Sequence, residues 1–194
     1  MKPVLLGAIA FLLGSIPTGM LVAGAKGIDL RGRGSGNIGA TNVLRTTGKG
    51  AALLTLLGDG IKGALAVLIA RHFGAGVFYE GMIGVCAVLG HNYSVFLKFR
   101  GGKGVATSIG VLSIYSPQTG AITIIIWLMT VLITRYSSLG ALVSFGILPF
   151  SAFFIDATGK LPVYLLLTLM IFVRHRENIL RLIAGAEQKI GGRL

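Results

Sequence analysis

Three segments of this sequence gather polar side chains around a cation, the first two of them with glycines as well. The first is Gly34-Ser35-Gly36-Asn37-Ile38-Gly39 running on to Arg45, the second His91-Asn92 running to Arg100-Gly101-Gly102-Lys103-Gly104, and the third Arg174-His175-Arg176-Glu177-Asn178. Glycines let backbone N–H groups turn toward one oxyanion, and a helix starting just after them adds the positive end of its dipole, so the first two segments can each form a nest for phosphate, and the third can add its cations and amide. Arginine and lysine add charge-assisted bonds, the stronger kind, to phosphate oxygens. The chemistry on offer is the gathering of phosphorylated molecules. Any one segment taken alone reads more readily as a flexible loop or a close helix contact.

Better-known phosphate motifs do not fit. Gly34, Gly36 and Gly39 satisfy G-x-G-x-x-G, but no strand precedes them and no βαβ unit surrounds them, so a dinucleotide-binding reading fails on context. Gly102-Lys103-Gly104 lacks the spacing of an ATP-type P-loop. Cys86, the only cysteine, lies in an apolar run. That leaves neither a disulfide nor a thiolate metal site. No cluster of His, Cys, Asp and Glu has ligand spacing, so neither a metal nor another cofactor is expected. Asp59 and Lys62 stand three apart, close enough on one helical face to pair, and read equally as a site and as a structural ion pair.

What must position these residues is a membrane bundle. The chain has 194 residues, of which 54% are hydrophobic and only 12% charged, and its mean hydropathy is +0.83. Soluble domains carry roughly 25% charged residues. The apolar runs predict an all-α integral membrane protein, a seven-transmembrane-helix bundle with spans at about 3–23, 51–70, 77–97, 104–115, 119–134, 138–155 and 161–173. The fourth and seventh are short for a bilayer and require tilt, loop residues or local thinning. The first run is long enough to be a retained helix rather than a signal peptide. One domain, 1–194, uses the whole length. Glu80, near an end of the third span, reads as a solvated terminus.

Orientation follows from basic residues. With the amino terminus outside, the inner loops receive Lys26, Arg31, Arg33, Arg45 and Lys49, then Lys98, Arg100 and Lys103, then Arg135, and finally Arg174, Arg176, Arg181, Lys189 and Arg193, which is 14 of the 18 Lys and Arg. Lys2, Arg71 and Lys160 fall outside and Lys62 within a helix. The positive-inside rule therefore places the carboxyl terminus in the cytoplasm and all three polar segments on that side. Much of the +12 net charge is accounted for by topology and by attraction to anionic lipid. Short loops without interleaved aromatics argue against nucleic acid as a partner. Gathered on one face of the membrane, the three segments make a binding site the better reading.

Those residues carry a resemblance. GSGNIGATNVLR at 34–45, GHNYSVFLKFRGGKGVATSIG at 90–110 and RHRENILRL at 174–182 resemble the three signature regions of the bacterial acyl-phosphate:glycerol-3-phosphate acyltransferase family. The likeness extends to length, topology and the Asp59/Lys62 pair, and leaves only the tail after Gly185 without a counterpart. It implies a multi-pass enzyme of the bacterial inner membrane with its active site on the cytoplasmic side. Such an enzyme moves a fatty acyl group from a fatty acyl phosphate to the 1-hydroxyl of glycerol 3-phosphate, giving lysophosphatidic acid and phosphate in phospholipid biosynthesis.

By that resemblance Ser35, Arg45, Lys103, His175 and Asn178 are the candidate catalytic residues, assigned mainly to glycerol 3-phosphate, with Arg45 and Lys103 at its phosphate. Gly102, Gly104 and the Gly34, Gly36 and Asn37 backbone would hold the acyl-phosphate head, with the Asn37, Thr41 and Asn42 side chains as neutral donors. Ser137 or Ser138 would line the glycerol 3-phosphate pocket. His91 and Asn92 are candidate substrate contacts, with an interhelical hydrogen-bonded pair as the equal alternative. The hydroxyl proton would go to the donor's phosphate, or else to His91 or His175 as general base. A covalent intermediate is not expected. The rival function is a small transporter of phosphorylated metabolites, disfavoured by the lack of an internal repeat and by polar motifs on one face instead of the midplane. A scaffold or lipid-binding subunit without chemistry leaves Ser35, Lys103 and Asn178 unexplained.

Overall fold

A computed structural model describes residues 2–156 and 158–191, which form helices and loops only. The first apolar run is two helices, α1 (Lys2–Ser15) and α2 (Thr18–Gly24), in place of the single rod expected over 3–23. Pro17 lacks an N–H and disfavours helical geometry in the residue before it, so the run breaks at Ile16-Pro17. At the break the Ile16 carbonyl accepts from Thr18 N–H at 3.1 Å and from Lys62 Nζ at 2.9 Å.

A short helix, α3 (Ala40–Thr46), follows the first glycine-rich segment, and α4 (Lys49–His72) and α5 (Val77–Asn92) form an antiparallel pair. The loop carrying Gly101-Gly102-Lys103-Gly104 leads into α6 (Val105–Tyr115), and α7 (Pro117–Thr134) returns to the same end of the bundle. The sixth apolar run divides into α8 (Ser137–Ile147), a 3-10 turn at Leu148–Phe150 and α9 (Ser151–Phe154), with Pro149 at the change of helix type. Last come α10 (Leu161–Arg174) and the amphipathic α11 (Arg176–Ile183). Four stretches, Lys2–Gly24, Lys49–His72, Pro117–Thr134 and Ser137–Phe154, are long and apolar enough to cross a bilayer, while Val105–Tyr115 and Leu161–Arg174 are apolar but shorter.

Without a hydrophobic drive between helices in lipid, close approach of backbones must do the packing, and glycine permits it. A Cβ on Gly14 would run into the Ala87 backbone, and one on Gly90 into the Phe11 carbonyl, so α1 and α5 touch backbone to backbone. Gly63 and Gly110 do the same for α4 and α6, against the Thr107 and Gly60 carbonyls. Around these seams Val67, Val88, Leu112, Phe145, Tyr164 and Leu167 build one apolar core.

Charges inside the bundle are paired. Lys62 Nζ lies 2.9 Å from Asp59 Oδ1, as their spacing predicts, and His91 Nδ1 lies 3.5 Å from the same oxygen. Away from the glycine-rich loops, Glu80 is buried rather than solvated, because Arg71 in the last turn of α4 reaches across to it with Nε at 3.1 Å and Nη2 at 3.0 Å. At that same end the Asp156 carboxylate accepts hydrogen bonds from Ser116, Thr119, Tyr164 and Lys160, tying α7 and α10 together. Burial pushes the Asp156 carboxyl up, but these donors outweigh it and hold it at about 2.

Candidate active site

The three polar segments converge at the end of the bundle where α3 and α11 lie. Two cavities open there, one of about 390 Å³ and one of about 180 Å³. The larger is lined by Ser35, Gly36, Asn37, Gly101 and Lys103 together with Arg31, Tyr93, Arg174, Arg176, Glu177 and Arg181. The smaller is lined by Ser35, Arg45, Arg181 and the tail residues Ala186, Glu187 and Gln188. Ser35 and Arg181 form part of both walls.

The first segment is shaped by one amide. Asn42, at 1% exposure, accepts from Ser35 N–H at 2.9 Å through Oδ1 and donates through Nδ2 to the carbonyls of Asn37 at 2.8 Å and Arg33 at 3.2 Å. Gly34 and Gly36 sit in the left-handed region at φ 58° and 68°, which lets the loop curl around that amide. The sequence reading set Asn42 against substrate; its amide is spent instead on holding Ser35 and Asn37 at the cavity wall. Thr41 Oγ1 meets Ser137 Oγ at 3.0 Å, joining α3 to α8.

In the second segment, Gly101 N–H and Gly102 N–H donate to the carbonyls of Asn92 and His91 at 3.1 and 3.0 Å. His91 and Asn92 are buried, and a Cβ on Gly102 would strike the His91 imidazole, so both lie beneath the loop and away from the cavity. Among the described residues the N–H groups of Lys103 and Gly104 have no protein acceptor, and they stand directly before the open first turn of α6. Gly104, at φ 85°, makes the turn into that helix. Two outward N–H groups beside a helix start are a geometry able to receive an anion.

Lys103 Nζ donates to Asn178 Oδ1 in the third segment. Asn178 Nδ2 passes the link to Glu187 Oε1 at 2.6 Å, which also accepts from Ser138 Oγ at 2.7 Å, while Arg181 Nε meets Glu187 Oε2 at 2.7 Å. Burial pushes the Glu187 carboxyl up, yet the hydrogen bonds from Ser138, Arg181 and Asn178 prevail and keep it below its ordinary value. Arg45 Nη2 donates to the Gln188 carbonyl at 2.8 Å. The tail after Gly185 is thus part of the site. Burial lowers the Lys103 ammonium to about 8.

His175 is 3% exposed and its Nδ1 lies 2.8 Å from the Ile171 carbonyl. A carbonyl oxygen only accepts, so Nδ1 carries the proton and Nε2 keeps its lone pair. Burial first, and the neighbouring Lys103 charge second, bring this imidazole down to about 4. It is a neutral acceptor at physiological pH. Among the described residues, no group of three or more His, Cys, Asp and Glu gathers as metal ligands would.

The sequence matches the glycerol-3-phosphate acyltransferase family over residues 4–185. The chain belongs to that family. Among its relatives in the family, the glycerol-3-phosphate acyltransferase of Rubrobacter xylanophilus is 46% identical over 100% of this chain and 98% of its own, and one from Thermus thermophilus is 48% identical over 96% and 94%. The fold is similar to the crystal structure of PlsY (YgiH), an integral membrane glycerol 3-phosphate acyltransferase, in its glycerol 3-phosphate form, with TM-score 0.92, 39% identity and coverage of 98% of this chain and 96% of that one. The lysophosphatidic acid form of PlsY gives TM-score 0.91 at 38% identity. Glu187 lies just past the stretch matched to the family, and the signal that could have found it is scarcity: the chain has only six acids, so one set in a basic tail needs a partner. Arg174 and Arg181 were legible as basic residues of the third segment, but not as walls of the cavities.

Proposed function

We propose that this acyltransferase moves a fatty acyl group from a fatty acyl phosphate to the 1-hydroxyl of glycerol 3-phosphate, releasing lysophosphatidic acid and inorganic phosphate. The observation that carries the reading is the pair of adjoining cationic cavities with Ser35 and Arg181 in their common wall. Two phosphorylated reactants need two anion sites a short distance apart, and holding both supplies several kcal/mol of a barrier like this one. Lys103 lines the larger cavity and Arg45 the smaller, so the Lys103 ammonium, instead of sharing one phosphate with Arg45 as expected, joins the N–H groups of Lys103 and Gly104 and the start of α6 in receiving the acyl-phosphate head. Arg45, Ser35 and Asn178 receive glycerol 3-phosphate.

The attacking hydroxyl oxygen bonds to the acyl carbon, the carbon–oxygen bond to phosphate breaks, and the hydroxyl proton leaves with the phosphate. The donor is a mixed anhydride whose phosphate gains basicity as its bond to the acyl carbon breaks, and there it holds a proton better than an imidazole lowered to about 4, so His175 Nε2 orients the hydroxyl as an acceptor and the departing phosphate takes the proton. His91, under the loop, takes no part in proton transfer. Lys103 and the nearby N–H groups stabilise the oxyanion of the tetrahedral intermediate.

We read the bundle as seven crossings, counting α1 with α2 and α8 with α9, in the bacterial inner membrane, with the amino terminus outside and the site facing the cytoplasm. The charge distribution and the site's position at the basic end support this. The test is phosphate release by protein in lipid given palmitoyl phosphate with and without glycerol 3-phosphate. Release that requires both substrates, yields lysophosphatidic acid and is lost in Lys103→Ala is the expected result. Phosphate release without acyl transfer, or glycerol 3-phosphate uptake into proteoliposomes without turnover, would sink the reading.

A further inference from the structure

The glycine-rich loop is gripped on two faces. From beneath, Gly101 N–H and Gly102 N–H are taken up by the Asn92 and His91 carbonyls. From the other side the Arg174 guanidinium donates through Nε to the Gly102 carbonyl at 3.0 Å and through Nη2 to the Gly101 carbonyl at 3.1 Å. It also lies 5.3 Å from the centre of the Tyr93 ring, which fixes its plane. The peptide that carries the Gly102 carbonyl also carries the Lys103 N–H. A cation on that oxygen polarises the whole unit and makes the N–H a stronger donor to anything outside the loop.

We propose that Arg174 is a positioning residue for the acyl-phosphate head: it sets the carbonyls of Gly101 and Gly102 inward and strengthens the outward Lys103 N–H. It contributes no bond of its own to the substrate. A planar fork with two donors in fixed relation is what the two carbonyls require. Lysine keeps the charge and loses the fork. This is where the proposal departs from the simpler view of Arg174 as one more phosphate-binding cation on the cavity wall.

The proposal rests on the acyl-phosphate reading above, and the experiment separates the two. Kinetics and inhibition by inorganic phosphate are measured for the natural protein, Arg174→Lys and Arg174→Gln in lipid, with thermal midpoints in detergent recorded alongside. A natural protein that shows no phosphate release dependent on glycerol 3-phosphate removes the function itself. Given that release, both variants are expected to raise the KM for palmitoyl phosphate about tenfold or more with a smaller change in kcat, as expected for losing bonds from a charged donor. Inhibition by inorganic phosphate weakens by the same factor. In a third variant, Arg174→Ala, methylguanidinium and not methylammonium restores the low KM for palmitoyl phosphate. Arg174→Lys with natural kinetics and Arg174→Gln without would show a plain charge contact and overturn the proposal. So would unchanged KM in both, or failure of both to give folded protein, which would make the contact structural only.

Discussion

Glu187 gathers donors from Ser138, Asn178 and Arg181 on one carboxylate, and through Asn178 it reaches Lys103. Glu187→Gln keeps the shape but loses the charge-assisted bond to Arg181, and kcat/KM for glycerol 3-phosphate is expected to fall about tenfold, read by initial rates at constant donor. Lys103 gives a pH dependence. Its ammonium, lowered by burial to about 8, must be charged to hold phosphate, so kcat/KM is expected to fall as pH rises through about 8; a profile flat to pH 10 would contradict the assignment. Ser35, Arg45 and Lys103 stood out as candidates because small polar and cationic side chains among glycines suit anion binding, and Asn178 stood out by its place in the third signature region. The direction each polar side chain faces was not. Asn42, His91 and Asn92 look the same in sequence whether they point into a cavity or hold up its floor, and here they hold up the floor.

Among elements, hydropathy located the helices and missed their interruptions. The run expected over 51–70 is α4, Lys49–His72, whereas the first run breaks at Pro17 and the sixth at Pro149. Composition averages over a window, and a kink depends on single residues and on who satisfies the freed carbonyl. Glu80 was misread for a related reason: its partner Arg71 belongs to another helix, and spacing along one helix cannot reveal it. The glycine seams carry a direct test. Gly90→Val puts a branched side chain against the Phe11 carbonyl, and overpacking of this kind typically costs about 1–3 kcal/mol. The thermal midpoint in detergent should drop by several degrees, while Gly24→Val, at a position facing nothing within 4 Å, should leave it nearly unchanged.

For the whole molecule the asymmetry between the ends is the main feature. One end carries the cavities and their cations, and the other is closed by Arg71 with Glu80 and by Asp156 with its donors. Orientation in the bilayer is tested at the two tips of α4, both exposed. In a Cys86→Ala background, an impermeant maleimide added to intact cells should label His72→Cys and spare Lys49→Cys, and the reverse pattern would invert the proposed topology. The break at Ile16-Pro17 bears also on how such a chain enters lipid as it is made. In hydrocarbon by itself, the first segment would leave the Ile16 carbonyl with only the tight-turn bond from Thr18 N–H, and the second would carry Asp59 and Lys62 at a penalty of roughly 2.5–3.5 kcal/mol each. Lys62 bonds both the Ile16 carbonyl and Asp59, so each segment removes part of the other's penalty. The smallest unit suited to leave the translocon is therefore the hairpin of 2–72, and a ribosome-bound chain stopped before α4 emerges should hold its first helix in the bilayer less firmly than one stopped after it.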